Sequence, residues 1–273
     1  MNIAVLGATG NVGKPLVELL AKQGHAVRAS TRSADKPLPS GVTRVSASNL
    51  DELLRGAQKL FLLAPPVGGL DVEERAIDAA KRAGIAHVVK LSSIGAAGEK
   101  PQGLGIHHRE MEKKLEATGM AWTMLRPGFF MSNALPRLVQ LRETGAVRNA
   151  YGDGVMYPIA PADIAAVAAL ALTEGGHESK RYVLTGEVGL TVPQEVAIMA
   201  RAIGKEPKVI DLSPDEGAAD ARKRGAPEDV VAMLRDLYVN VRENRVAEHD
   251  DTARRLLGRP LMTFETWFAA AKA

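Results

Sequence analysis

Cysteine is absent from the 273 residues of the chain, and aromatic residues make up only 4% of them. The absence of cysteine excludes disulfides, thiolate nucleophiles, iron–sulfur clusters and cysteine-based zinc sites, and it suits a reducing cytoplasm, where we expect the protein to act. Neither sign of charge is in large excess, because 35 Lys and Arg stand against 32 Asp and Glu. We therefore expect no nucleic-acid partner. Long hydrophobic runs are missing as well. The most apolar stretch, residues 164–172, is shorter than the roughly 18 residues of a membrane span, and no basic segment precedes the first apolar run, so we expect neither a membrane nor a secretory signal.

Short apolar runs and helical patterns alternate over the first half of the chain. The first run is Ile3–Leu6, the last is Trp122–Leu125, and helical patterns separate most of them. This alternation is typical of a parallel sheet that is covered by helices on both faces. Right-handed crossovers then give the strand order 3-2-1-4-5-6. The sequence therefore predicts an α/β fold with a doubly wound, Rossmann-like parallel sheet.

The second half of the chain is less regular. An Ala-rich helix over Asp163–Thr173 and a strand over Arg181–Thr185 precede several further helical stretches. We expect residues 1–150 to form the Rossmann-like domain. Residues 151–273 are expected to form a smaller, mostly helical lobe for substrate or partner binding, which can share strands with the first domain.

A glycine-rich motif, Gly7-Ala-Thr-Gly10-Asn-Val-Gly13, lies between the first strand and the first helix. Gly7 and Gly10 allow a sharp turn close to a pyrophosphate, Gly13 allows close helix–strand packing, and the helix N-terminus offers free N–H groups. The alternative is an ordinary strand-to-helix turn, but the position at the start of a βαβ series favours dinucleotide binding. A Walker A motif is excluded, because it would require a glycine in place of Ala8 and a hydroxyl residue in place of Pro15. The predicted contacts are Gly7, Ala8, Thr9, Gly10, Asn11, Val12 and Gly13.

The end of the second strand indicates which dinucleotide binds. An acidic residue there would hold the ribose hydroxyls of NAD, whereas an arginine accommodates the 2′-phosphate of NADP. No acid occurs before Asp35, and Arg32 stands between Thr31 and Ser33. A guanidinium can bind a phosphate with two hydrogen bonds, and the neighbouring hydroxyls can add more. We therefore predict NADP(H) as the cofactor, the alternative being that Arg32 is a solvated loop residue.

The spacing of the three glycines resembles the short-chain dehydrogenase/reductase superfamily. A typical catalytic member carries Tyr-x-x-x-Lys on the helix after the fifth strand, where the tyrosine acts as the acid. The corresponding segment here, Gly105–Lys114, contains no tyrosine. The usual acid is therefore missing.

Three further segments narrow the resemblance. Val88–Gly95, His107–Glu112 and Trp122–Asn133 together resemble the NmrA-like family of atypical short-chain reductases. That family includes NAD(P)H:quinone oxidoreductases, triphenylmethane-dye reductases and transcription regulators that bind NADP without turning it over. The resemblance implies the fold and the cofactor more strongly than it implies a reaction.

Several residues are candidates for the nicotinamide end of the site. Ala64, Pro65 and Pro66 follow the fourth strand and could form a wall beside the cofactor, or a plain loop. Ser92 and Ser93 end the fifth strand, where Ser92 could bind the cofactor and Ser93 the substrate, although both could instead cap the loop that follows.

Two groups of residues further along are candidates for the chemistry and the substrate pocket. His107 and His108 could supply a proton near neutral pH, or they could simply be solvated. Because these two histidines are adjacent, they cannot easily chelate one ion, and we expect no metal. Phe129, Phe130 and Met131 could line an apolar substrate pocket, with core packing as the alternative.

Two functions are compatible with these features. The first is an NADPH-dependent oxidoreductase that reduces an apolar, electron-poor small molecule such as a quinone, dye or enone by hydride transfer, a reaction that tolerates the missing tyrosine. The second is a non-catalytic NADP(H)-binding redox sensor of the NmrA type, for which the missing acid is equally suitable.

Overall fold

A computed structural model of the chain describes residues 1–32, 35–63, 70–99, 101 and 103–271. The strands within these residues are β1 (Asn2–Val5), β2 (Ala26–Thr31), β3 (Thr43–Ser46), β4 (Lys59–Leu62), β5 (His87–Leu91), β6 (Ala121–Pro127), β7 (Val147–Asn149), β8 (Lys180–Leu184) and β9 (Val209–Asp211). The α-helices are α1 (Gly13–Lys22), α2 (Leu50–Leu54), α3 (Leu70–Arg82), α4 (Leu104–Glu116), α5 (Leu135–Thr144), α6 (Pro161–Thr173), α7 (Val192–Ile203), α8 (Pro214–Lys223), α9 (Glu228–Arg242), α10 (Thr252–Leu257) and α11 (Phe264–Ala271).

The main sheet has seven parallel strands in the order β3-β2-β1-β4-β5-β6-β8. The predicted doubly wound α/β fold is therefore confirmed, and β8 extends the predicted strand order by one strand beyond β6. The order reverses between β1 and β4, which is the switch point where Rossmann-like sheets bind ligands at the carboxyl ends of their strands.

Alternation along the strands decides which side chains meet the helices, because successive side chains of a strand point to opposite faces. On one face, Val88 of β5 and Met124 of β6 are fully buried in a core with Ile77 of α3 and Leu115 of α4. Lys90 is two residues after Val88 and points to the same face of the sheet. The consequence is a lysine directed toward α3 and α4 in the centre of an apolar core.

The chain divides into two compact units, and each unit is built from separate stretches. The first contains residues 1–127, 161–184 and 255–258, and the second contains 128–160, 185–254 and 259–273. This division differs from the boundary expected at residue 150. After α6 the chain returns to the sheet as β8, while residues 128–150 already belong to the second unit.

The second unit is mostly helical and has its own core. Its two strands, β7 and β9, pair in parallel, and the core includes Leu138 of α5 and Val196 of α7. A capping box begins α7, in which Thr191 and Gln194 are hydrogen-bonded reciprocally. Among the described residues, no helix combines the length and the apolar character that a membrane span requires.

Candidate active site

The predicted glycine turn connects β1 to α1. Gly7 has a φ of +80°, which favours glycine, and its carbonyl accepts a hydrogen bond of 3.1 Å from the Gly10 N–H. A Cβ at Gly13 would lie 2.0 Å from the Gly7 carbonyl oxygen, so the third glycine is needed for close packing. The Ala8 N–H donates to the Ser30 carbonyl at 3.1 Å and ties the turn to β2.

The N-terminus of α1 is open to an anion. Val12 occupies the N-cap position without a side-chain hydrogen bond to the helix, and the first turn contains no acidic residue. Gly10 and Asn11 are exposed. The first N–H groups of a helix have no partner within the helix, and together with the helix dipole they favour a negatively charged ligand. The turn therefore fits the pyrophosphate of a dinucleotide.

The carboxyl end of β2 lies beside this turn. The Thr31 hydroxyl is 3.4 Å from the Thr9 hydroxyl. Arg32 follows directly and is exposed, and no acidic side chain of the described residues forms an ion pair with it. Lys36 lines a cleft together with Ala8 and Thr9. Thus two cations, neither of which forms an ion pair with an acidic side chain of the described residues, lie next to the turn, as a 2′-phosphate would require.

Four of the predicted cofactor residues cannot be placed in this arrangement. Ser33, Ala64, Pro65 and Pro66 lie outside the residues that the structure describes. Their roles stay predictions.

The two serines at the end of β5 are both engaged by the protein. Ser92 is buried, and its hydroxyl donates to Glu112 Oε1 at 2.6 Å. The Ser93 hydroxyl accepts from the Gly95 N–H at 3.2 Å, which is the capping role that the sequence left open. Contacts of either serine with cofactor or substrate stay predictions.

The apolar candidates after β6 belong to the second unit. Met131 is 3% exposed and lies in the core of that unit, and Phe129 packs against the same core. Phe130 pairs through its backbone with Ile159. Met131 and Phe129 therefore contribute to core packing. That Phe129, Phe130 and Met131 line a substrate pocket stays a prediction.

Both candidate histidines lie on the first turns of α4. His107 Nε2 is 3.3 Å from Glu73 Oε2, and His108 Nδ1 is 3.3 Å from Lys90 Nζ. Burial, together with the nearby Lys90 and His107, lowers the pKa of His108 to about 3. His108 is therefore neutral near pH 7.

Sequence reasoning missed the buried charges that surround these histidines. Lys90 forms an ion pair with Glu73 of α3, and the two side chains are 0% and 2% exposed. Burial lowers the pKa of Lys90, and the carboxylate of Glu73 opposes that shift. The signal in the sequence was a lysine inside the apolar run of β5.

A second buried ion pair lies next to the first. Glu112 of α4 accepts from Arg126 Nε at 2.9 Å and from Arg126 Nη2 at 2.5 Å, in addition to the Ser92 hydroxyl. Burial acts to raise the pKa of Glu112, but the hydrogen bonds from Arg126 and Ser92 outweigh it and hold this pKa below its usual value. Glu112 is therefore a fixed carboxylate that positions the end of β5. In the part of the chain that the structure describes, no cluster of three potential metal ligands occurs.

Comparison with known proteins identifies relatives along the whole chain. A family model described as NAD(P)H-binding matches residues 7–175. The NAD(P)H azoreductase of Xenophilus azovorans is 34% identical over 99% of this chain and 98% of its own length. The (4-alkanoyl-5-oxo-2,5-dihydrofuran-3-yl)methyl phosphate reductase of Streptomyces griseus is 32% identical over 98% of this chain and 96% of its own.

A solved structure extends the likeness to the fold. The NADPH-dependent quinone oxidoreductase QOR2 of Escherichia coli, complexed with NADPH, matches with a TM-score of 0.85 and 30% identity over the full length of both chains. These findings confirm the expected fold and the expected NAD(P)H cofactor. The chain therefore belongs to the NAD(P)H-binding family, as its resemblance to the NmrA-like short-chain reductases predicted.

Proposed function

We propose that the protein is an NADPH-dependent oxidoreductase that reduces an apolar, electron-poor small molecule, such as a quinone, a dye or an enone, by hydride transfer. The observation that carries this proposal is the uncapped N-terminus of α1 behind the Gly7–Gly13 turn, with Arg32 exposed at the end of the adjacent β2. The relatives support the substrate class, because their names describe an azo compound, a conjugated furanone and a quinone.

The first unit offers residues that would hold the cofactor. The N–H groups at the start of α1 would bind the pyrophosphate, and Gly10, which has no side chain, would allow the turn to come close to it. Arg32 and Thr31 would bind the 2′-phosphate through charge-assisted hydrogen bonds. When bound, NADPH supplies the hydride, and the protein supplies binding and orientation.

The missing tyrosine favours an electron-poor acceptor. A carbonyl of an ordinary ketone needs an acid that is positioned to protonate it as the hydride arrives. A quinone or an activated double bond accepts a hydride readily, and its proton can follow from water or from a histidine. Placement of the acceptor against the nicotinamide then contributes most of the acceleration.

The proposal also covers the kind of substrate, the partners and the location of the protein. The substrate is a small molecule, and we infer no membrane or nucleic-acid partner. A cytoplasmic location is part of the proposal and rests on the lack of cysteine in the chain.

The experiment follows NADPH absorbance after a quinone, an azo dye or an enone is added to the protein. The wild-type protein should oxidise NADPH faster than an enzyme-free control with at least one acceptor. The Gly10→Val variant should oxidise NADPH no faster than the enzyme-free control, because the valine side chain would fill the place of the pyrophosphate. Gly175→Val is the matched control, since an added Cβ there meets nothing within 4 Å, and it should behave as wild type. A wild-type protein that binds NADPH but oxidises it no faster than the control with every acceptor would overturn the proposal and favour the sensor function.

A further inference from the structure

The nicotinamide half of the cofactor is expected over the ends of β4 and β5. The strand order reverses between β1 and β4, and the proposed 2′-phosphate site at Arg32 places the adenosine half on the β2 side of this reversal. The glycine turn touches the end of β4, because a Cβ at Gly7 would lie 3.0 Å from the Leu63 carbonyl oxygen. β5 is the next strand, about 4.8 Å further along the same edge. A hydride acceptor must therefore approach the segments that follow β5.

A close contact between two glycines joins the segments that follow β5. A 3₁₀ turn over Ile94–Ala96 comes directly after Ser93, and α4 follows it. A Cβ at Gly105 would lie 2.0 Å from both the carbonyl carbon and the carbonyl oxygen of Gly95. The first turn of α4 therefore rests on the backbone of the 3₁₀ turn, with no room for a side chain between them. This contact fixes the start of α4 beside the end of β5.

Ile106 is exposed next to this contact. It lies on the first turn of α4, and 54% of its surface is exposed. Among the described residues of the first unit, the other large apolar side chain with such exposure is Met1, which precedes β1 at the opposite edge of the sheet. A single exposed apolar residue needs no explanation by itself. Ile106, however, is held in place at the edge where the acceptor approaches, and it presents a fixed apolar surface there.

Ser93 supplies a polar group at the same edge. Its hydroxyl accepts from the Gly95 N–H at 3.2 Å, and no acceptor among the described residues takes the hydrogen of this hydroxyl. Ser92 differs, because it donates its hydrogen to Glu112. A hydroxyl that accepts one hydrogen bond can still donate its own hydrogen, so Ser93 is able to bind an oxygen or nitrogen of a ligand. An apolar surface with a few polar groups is the usual composition of a small-molecule site.

We propose that Ile106 determines the specificity of the reduction, because its side chain contacts the apolar body of the acceptor while the Ser93 hydroxyl donates to a polar atom of the acceptor. This rests on the proposed reductase function. Since the contact is apolar, it selects an uncharged acceptor such as naphthoquinone over a sulfonated one. The contact is the same before and during hydride transfer, so it lowers KM and leaves kcat nearly unchanged.

The first test is calorimetric titration of the protein–NADP⁺ complex with naphthoquinone, which needs no turnover. Ile106→Ser should weaken binding of the quinone about three- to tenfold, since the exposed half of the isoleucine would otherwise be buried against it. NADP⁺ affinity and melting temperature should equal those of the wild-type protein, because an exposed side chain contributes little to the fold.

A matched variant controls this titration. Val139 is a β-branched residue of α5 with 50% exposure, and Val139→Ser should bind naphthoquinone as the wild-type protein does. Unchanged quinone binding in Ile106→Ser, an equal loss in Val139→Ser, or no quinone binding by the wild-type complex would overturn the proposal.

The second test measures kcat and KM for naphthoquinone and for its sulfonate. Ile106→Ser should raise KM for naphthoquinone by the same factor, with kcat nearly unchanged. In Ile106→Lys, the kcat/KM of the sulfonate relative to naphthoquinone should rise about tenfold or more, because an apolar contact is replaced by a cation. Glu110→Gln is the control, since Glu110 is exposed on the same helix and its replacement adds the same single positive charge. Its ratio should stay within about twofold of wild type, and an equal rise in both variants, or no rise in Ile106→Lys, would contradict contact with the acceptor.

The outcomes separate the two claims. If the wild-type protein reduces an acceptor and Ile106→Ser binds and reduces it equally well, the assignment of Ile106 is wrong and the reductase function stands. If the wild-type protein reduces no acceptor, the reductase function is wrong and the assignment of Ile106 is overturned with it.

Discussion

Replacement of Arg32 by alanine should remove most of the preference for NADPH over NADH. Loss of hydrogen bonds to a charged phosphate costs about 1.5–3 kcal/mol, which is about ten- to a hundredfold in affinity. Arg32 is exposed and has no acidic partner among the described side chains, so salt screens its attraction for the phosphate. We therefore expect about a tenfold loss at physiological ionic strength and a larger loss at low salt, with NADH affinity unchanged.

Calorimetric titration with 2′,5′-ADP and with 5′-AMP isolates the phosphate contribution to binding. Arg28→Ala is the control from the same strand, because the Arg28 Nε already donates to the Glu52 carbonyl at 3.0 Å. Its ratio of the two affinities should match that of the wild-type protein. Equal wild-type affinity for NADPH and NADH, or an unchanged ratio in Arg32→Ala, would refute the assignment of Arg32 to the 2′-phosphate.

Three further predictions follow from the structure. Gly13→Ala should unfold at lower temperature than wild type, because its Cβ would lie 2.0 Å from the backbone oxygen of Gly7; an unchanged melting temperature would contradict the close packing. Tyr151→Phe and Tyr157→Phe should keep wild-type turnover, and a collapse in either would show that a tyrosine of the second unit is the acid. The pKa of His108 is about 3 in the folded chain and near 6.5 when unfolded, so the unfolded chain binds this proton first as pH falls. In urea denaturation, the free energy of unfolding should fall by up to about 1.4 kcal/mol per pH unit below about pH 6.5 because of this histidine. His108→Gln should lack this part of the decrease.

The regular elements of the sheet were predictable from local pattern. β5 was recognisable because Val88, Val89 and Leu91 form a short apolar stretch that is rich in β-branched residues and lies between turn signals, although Lys90 interrupts it. α5 and β7 were missed. A proline near the start of α5 and the three-residue length of β7 leave little periodicity to detect.

The cofactor turn was predictable because its residues are contiguous and each glycine has a local reason. The buried charges beside β5 were not, because Glu73 and His107 are distant in sequence and meet only when α3 and α4 pack against the same face of the sheet. Lys90 was a visible anomaly in an apolar strand. Its partners depend on tertiary packing, which a single sequence does not reveal.

The most direct test of NADPH-dependent reduction uses NADPH that carries deuterium at the transferable C4 position. An activated enone is the suitable acceptor, because a hydride delivered to carbon stays there. We predict that the protein forms the reduced product with deuterium at that carbon and oxidised cofactor in equal amount. Unlabelled product, or labelled NADPH that stays bound and unchanged beside the enone, would contradict hydride transfer by this protein.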